Sequence, residues 1–308
     1  MSKSAILSSS VAKKWWMALT GLFLCLFLVG HLLGNLQLIT IAGNEGKRAF
    51  NEYAYFMTTN PIVKVLSYLT YISVLFHAID GILITIHNKK SRPVKYVYKN
   101  PHSNVPWYSR SMAVLGSLIL IFIVLHMQNF WWKMKHSSEP MPAHKEFIAK
   151  PQMSQMGGIE DTIVGYYYTT KGDYVPADEV RIDYSHKKPE FYVNYSKYDP
   201  NYKASGQEMK VADGYKDLHS LVYAFFGHDK TKEAGIAANP NALVAVVVYV
   251  LSMLVLGFHL LHGFSSAFQS LGINHRKYNN LIKTTGKVFA ILVSALFAII
   301  PIVIYLTR

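Results

Sequence analysis

Five long apolar runs, at about Trp15–Ile41, Pro61–His87, Trp107–Trp132, Asn241–Ser266 and Gly286–Leu306, constrain this chain more than any other feature. Each reaches the roughly 20 residues needed to cross a hydrocarbon core about 30 Å thick. No water inside a bilayer satisfies the backbone, so each run is expected to be helical. The 308 residues carry a formal net charge of +13. A soluble nucleic-acid binder would share that charge but not the apolar runs, so no nucleic-acid partner is expected. The first run is too long for a cleaved leader, continues through His31 and lacks a small-residue cleavage site. The fold class that follows is an all-α integral membrane protein. Five transmembrane helices form a bundle, with an extramembrane insertion between helices three and four. Residues 1–132 hold the first three spans, 133–238 the insertion and 239–308 the last two.

Charge orients the spans. The stretch KKSRPVKYVYKNPHSNVPWYSR between spans two and three is basic and free of acids, and Lys3, Lys13 and Lys14 precede span one. Arg276, Lys277, Lys283 and Lys287 lie between or near spans four and five, whereas the opposite side has only Lys47, Arg48, Lys64 and Arg308. The positive-inside rule then predicts a cytoplasmic N-terminus and an outward C-terminus. The segment 133–240 differs in composition, with 14 basic and 15 acidic residues against 17 and 3 in the rest of the chain. GYYYTTKGDYVPADEVRIDY and KPEFYVNYSKYDPNY within it read as short strands and turns. GYKDLHSLVYAFFG reads as a helix along the membrane surface. The scattered His136, His144, His186, His219 and His228 are expected at the surface.

The chemistry lies in the spans, where ionisable residues are costly and tend to be functional. Almost all of them are histidines: His31 on span one, His77 on span two, His126 on span three, and His259 with His262 on span four. Imidazole is a common axial ligand of haem iron, and two imidazoles fill both axial positions, which suits electron transfer. Interhelical hydrogen bonding is the alternative for any one histidine alone. There is no C-x-x-C-H motif for thioether attachment, so a haem b is the expected form. A helical rise of about 1.5 Å per residue puts His31 about 24 Å and His126 about 28 Å from the cytoplasmic end. The same rise puts His77 at about 15 Å and the span-four pair at about 10–15 Å. Two layers result: His31 with His126 outside, and His77 with His259 or His262 inside. Spacing does not choose between the last two.

Five stretches carry a resemblance: GHLLGNLQL around His31, AFNEYAYFMTTNPIV before span two, LFHAIDGI around His77, LHMQNFWW around His126, and HLLHGFSSAFQSLG on span four. The chain resembles the dihaem cytochrome b membrane anchor of type B succinate:quinone oxidoreductases. These are the succinate dehydrogenases and fumarate reductases of the respiratory chain and tricarboxylic acid cycle. The likeness covers roughly 10–132 and 239–306 and is close to the Bacteroidetes branch. It implies His31, His77, His126 and His262 as the four ligands, paired first with third and second with fourth. The histidine before Gly263 takes the inner role, leaving His259 beside it as a supporting residue. It further implies a flavoprotein and an iron–sulfur subunit as cytoplasmic partners, menaquinone as the membrane quinone, surrounding lipid, a bacterial inner membrane, and a possible homodimer of the complex. No G-x-G-x-x-G or cysteine set for iron–sulfur clusters is present, so FAD and succinate belong to partner subunits.

Quinone chemistry needs protons, which directs attention to carboxylates near the outer layer. Glu52, in the outer loop before span two, is the quinone-site candidate, and Asp80 could support the inner centre. Some menaquinol-oxidising relatives carry a glutamate two residues before the span-four ligand; here that position is Leu260, which argues against their proton route. Competing expectations are the cytochrome of a hydrogenase or formate dehydrogenase, and a transport protein without haem.

Overall fold

The computed structural model describes residues 10–91, 106–136, 140–153, 159–185, 188–194, 208–229 and 235–308. Lys3, His186 and most of the basic stretch between spans two and three lie outside the described residues. The main helices are α1 (Ser10–Thr40), α2 (Gly43–Thr59), α3 (Pro61–Lys90), α4 (Met112–His126), α5 (Leu218–Phe226), α6 (Ala242–Ser270) and α7 (Asn279–Thr307). Five helices are long and apolar enough to cross a membrane: Val11–Thr40, Pro61–Lys90, Met112–His136, Ala242–Ser270 and Asn279–Thr307. Their large apolar side chains, among them Leu26, Leu33, Val114 and Ile291, stand exposed on the helix surfaces. In water that arrangement would cost heavily; facing lipid tails it costs nothing. The chain is a helical multi-pass membrane protein.

Local chemistry sets the helix ends. Asn60 caps α3, its side chain accepting from the backbone N–H groups of Ile62 at 2.9 Å and Val63 at 3.2 Å, with Pro61 at the first helical position. Gly43 breaks α1 from α2 at a φ of +66°. Gly272 ends α6 at +83°, and Ile273 donates back to the Phe268 carbonyl at 2.9 Å, which closes the last turn. Inside the spans, hydroxyls of Ser67, Thr70, Thr85, Ser117 and Ser252 donate to the carbonyl four residues back. They thereby need no water. A six-residue π-helical stretch, Met127–Trp132, begins immediately after His126. Such bulges gather at functional sites.

Two compact units divide the chain. The first takes residues 1–36, 59–128 and 243–303; the second takes 37–58, 129–242 and 304–308. The second unit therefore recruits α2 and the last residues of the chain to the insertion, a boundary different from 133–238.

Within the second unit, two antiparallel three-stranded sheets form. One orders β1 (Lys145–Met153), β2 (Ile159–Tyr168) and β3 (Tyr174–Pro176), and the other β4 (Val180–Asp183), β5 (Glu190–Asn194) and β6 (Glu208–Asp213). The all-α class thus holds for the spans, whereas the insertion follows its tyrosine- and valine-rich strand signals. Phe191, Ala143 and Ala212 form a small core, with Tyr167, Val180, Ile182 and Val211 packed on it. The ring of Phe191 comes so close to Gly214 that a Cβ there would sit 2.3 Å from it.

One reading of this region needs correction. The expected loop before span two is a helix, α2, whose polar composition disguised its amphipathic face. GYKDLHSLVYAFFG contains the expected helix, α5, in which His219, Ser220, Leu221, Val222, Ala224 and Phe226 are all buried.

Candidate functional site

In the first unit, four spans bring histidine rings together in two pairs. His31 on α1 and His126 on α4 stand edge-to-face with ring centroids 5.7 Å apart. Phe27 stacks on His31 at 5.4 Å and Phe297 of α7 lies 5.7 Å from it. Phe122 and Tyr249 flank His126 at 5.7 and 6.0 Å. The pair is thus enclosed by aromatic rings from four helices. Asn35, one turn after His31, donates to the His31 carbonyl at 2.7 Å and approaches its Nδ1 at 3.5 Å.

The second pair is His77 of α3 with a ring of α6, centroids 6.2 Å apart, and that ring belongs to His259. The resemblance assigns this place to His262. Residues three apart on a helix point about 60° away from each other, so packing lets only one of them meet a given neighbour. Here α6 turns His259 inward, between Gly116 of α4 and Gly263, whose added Cβ atoms would lie 3.7 and 4.0 Å from its ring. His259 Nδ1 is buried with no hydrogen-bond partner among the described residues. The ring that meets His77 is thus that of His259, to which the resemblance gives a supporting role. His262 is half-buried, as is Asp80, which follows His77 by three residues on α3. Leu260 is buried.

The His77 ring meets α1. Thr20 Oγ1 lies 3.2 Å from His77 Nδ1, and a Cβ at Gly21 would lie 3.2 Å from His77 Cε1. Spacing along the chain carried no sign of Thr20, Tyr249 or Phe297, because each reaches its histidine from a different span.

The donor set can be tested for a metal-centred cofactor. Imidazole–metal bonds of about 2.0–2.1 Å put two ligating nitrogens about 4 Å apart and the ring centroids about 6 Å apart. Both observed separations agree with that spacing. The residues present fit two bis-imidazole centres.

In the second unit the expected surface placement fails for two histidines. His144 and His219 are buried, whereas His136 and His228 are exposed. The burial is made possible by a polar network between α2 and the insertion. Asn51, 1% exposed, donates to Asp217 Oδ1 at 3.0 Å, lies 3.2 Å from His144 Nδ1, and accepts from the His219 backbone N–H at 2.9 Å. Lys47 pairs with Asp217 at 2.7 Å and donates to the Lys145 carbonyl at 3.0 Å. Ser220 donates to the same carboxylate through its backbone N–H and its hydroxyl, at 3.1 and 2.8 Å. Arg48 pairs with Glu146 at 3.1 Å and also bonds Tyr174, while His144 Nε2 lies 3.0 Å from Glu146 Oε1. Burial alone would raise the Asp217 pKa, but the Lys47 charge and the bonds from Lys47, Asn51 and Ser220 hold it below the usual carboxylate range. Burial pushes the His219 imidazole down to about 4 and lowers that of His144.

Glu52 belongs to this unit. It is half-buried, and Tyr168 donates to its Oε1 at 2.7 Å. Burial and the bond to Glu52 push the Tyr168 hydroxyl pKa up, which keeps it a donor. Lys47 and Arg48, its neighbours in sequence, are engaged by Asp217 and Glu146 instead. The helical spacing of Lys47, Arg48, Asn51, Glu52 and Tyr55 was the one signal in the sequence that could have exposed this face.

No family model matches the chain, and neither a curated protein nor a solved structure matches it.

Proposed function

We propose that this chain is a dihaem cytochrome b membrane anchor of a succinate:quinone oxidoreductase, carrying electrons between an iron–sulfur subunit and a membrane quinone, most simply menaquinone. The observation that carries the cytochrome reading is the pair of opposed imidazoles, repeated twice and drawn from four separate spans. Two facing imidazoles are too few donors for a bare ion and would suit a macrocycle that brings its own nitrogens. His31 and His126 would hold one haem b, and His77 and His259 the other. Bound haem supplies one-electron exchange at each centre. The protein's own part is to fix the ligands and exclude water: Phe27, Phe122, Tyr249 and Phe297 surround the first pair, and Thr20 and Gly21 pack against His77. Glu52, hydrogen-bonded by Tyr168, is the candidate to exchange a proton with quinone. The assignment to succinate and quinone, with the flavoprotein and iron–sulfur partners and the bacterial inner membrane, rests on the sequence resemblance.

Haem content of the purified complex tests the reading. The expected result is two b-type haems per chain, reducible by succinate, with a flavoprotein and an iron–sulfur protein co-purifying. A dithionite-reduced spectrum without a b-type band would overturn the cytochrome reading. A co-purifying nickel or molybdenum subunit would overturn the succinate assignment alone.

A further inference from the structure

Thr20 has two neighbours that together decide its role. Its hydroxyl lies 2.7 Å from the Trp16 carbonyl and 3.2 Å from that of Met17, both of which can only accept. A hydroxyl has a single hydrogen, and the Trp16 carbonyl takes it. The oxygen then presents a lone pair to His77 Nδ1, 3.2 Å away. Only a protonated Nδ1 suits such surroundings, so Nε2 is left bare. A bare Nε2 is the nitrogen a metal can use.

We infer that Thr20 is a positioning residue for the His77 centre: it fixes the tautomer and rotation of the imidazole and raises its basicity as a ligand. This rests on the haem reading of His77. Gly21 supports it from the next position, because the missing side chain lets α1 approach the ring. The partner ring has no such device, since His259 Nδ1 is buried without an acceptor among the described residues. The electronic effect would therefore be confined to one imidazole of one pair. An acceptor on Nδ1–H makes imidazole a stronger donor and favours the oxidised metal. Removing it should raise the midpoint potential.

The test is a spectroelectrochemical titration of the whole complex carrying Thr20→Val or Thr20→Ser, beside His77→Ala to identify the affected haem. If Thr20→Val keeps both haems, the inference expects an upward shift of the His77 haem midpoint and a changed low-spin EPR signal. The other haem stays unmoved and Thr20→Ser lies near wild type. If Thr20→Val loses that haem while Thr20→Ser keeps it, the inference also stands. Unchanged potentials and spectra in Thr20→Val, or equal haem loss in both variants, would overturn it while leaving the haem reading intact. A wild-type complex without b-type haem would instead sink the reading beneath it.

Discussion

Histidine is buried in both units of this protein, and the two regions handle it in opposite ways. In the first unit, rings face rings: His31 meets His126 and His77 meets His259, among aromatic and aliphatic side chains. In the second, His144 is held by the protein itself, between the Asn51 amide and the Glu146 carboxylate. The first arrangement sets imidazole against imidazole; the second sets His144 beside an amide and a carboxylate that tie α2 to the insertion. Burial of a polar ring is therefore no sign of cofactor binding. What differs is the neighbour, another imidazole in the first unit and an amide with a carboxylate in the second. His219 lies between the two cases: its Nδ1 has no partner, but its ring stacks on Tyr223 at 4.2 Å, and its backbone is tied to Asn51.

The sharpest way to break this contrast is by substitution of the ring pairs. His31→Ala and His77→Ala should each lose one of two haems, a fall of about half in haem content, and His259→Ala should match His77→Ala. His262→Ala should keep both. Retention of both haems in His259→Ala, with loss in His262→Ala, would restore the pairing that the resemblance implies.

The second unit should respond through stability instead. Asp217→Ala leaves the partly buried Lys47 without its counter-charge and removes the cap of α5. The expected loss is on the order of 3–5 kcal/mol, read as faster proteolysis within 133–242. Acidification should act in the same direction. The folded imidazoles of His144 and His219 are held below their ordinary value, so the unfolded chain binds more protons as pH falls from about 6.5 toward 4. Asp217, held low, adds stability that is present above the ordinary carboxylate pKa and lost as pH falls through its lowered one. The unit should therefore weaken from pH 7 to 5, by up to about 1.4 kcal/mol per pH unit for each histidine. Stability that is flat over that range would contradict the neutral, buried state.

Glu52→Gln keeps the bond from Tyr168 but removes a proton acceptor. If Glu52 serves quinone, turnover with quinone should fall about 100-fold while haem content holds. An unchanged rate would leave Glu52 as a structural partner of Tyr168 alone. The smallest effect belongs to Asn60→Ala, which removes the cap of α3 and should cost about 1 kcal/mol, visible as a small fall in the thermal midpoint.

Much of the first unit was legible beforehand. Length and hydropathy marked all five spans, because both properties belong to a single helix. The strand character of the insertion showed in GYYYTTKGDYV, whereas α2 was hidden by a polar face that matches nothing nearby in the chain.

What the sequence determined by itself is the number of spans and which of them carry the histidines. Tertiary structure alone decided the rest. Depth along a helix follows from counting residues, but rotation about its axis follows from what packs against it. Three residues separate His259 from His262, and only the neighbours Gly116 and His77 select which ring turns inward. Likewise, Asn51 meets His144 and Asp217 across 93 and 166 residues of chain, and no local pattern can encode such a partner.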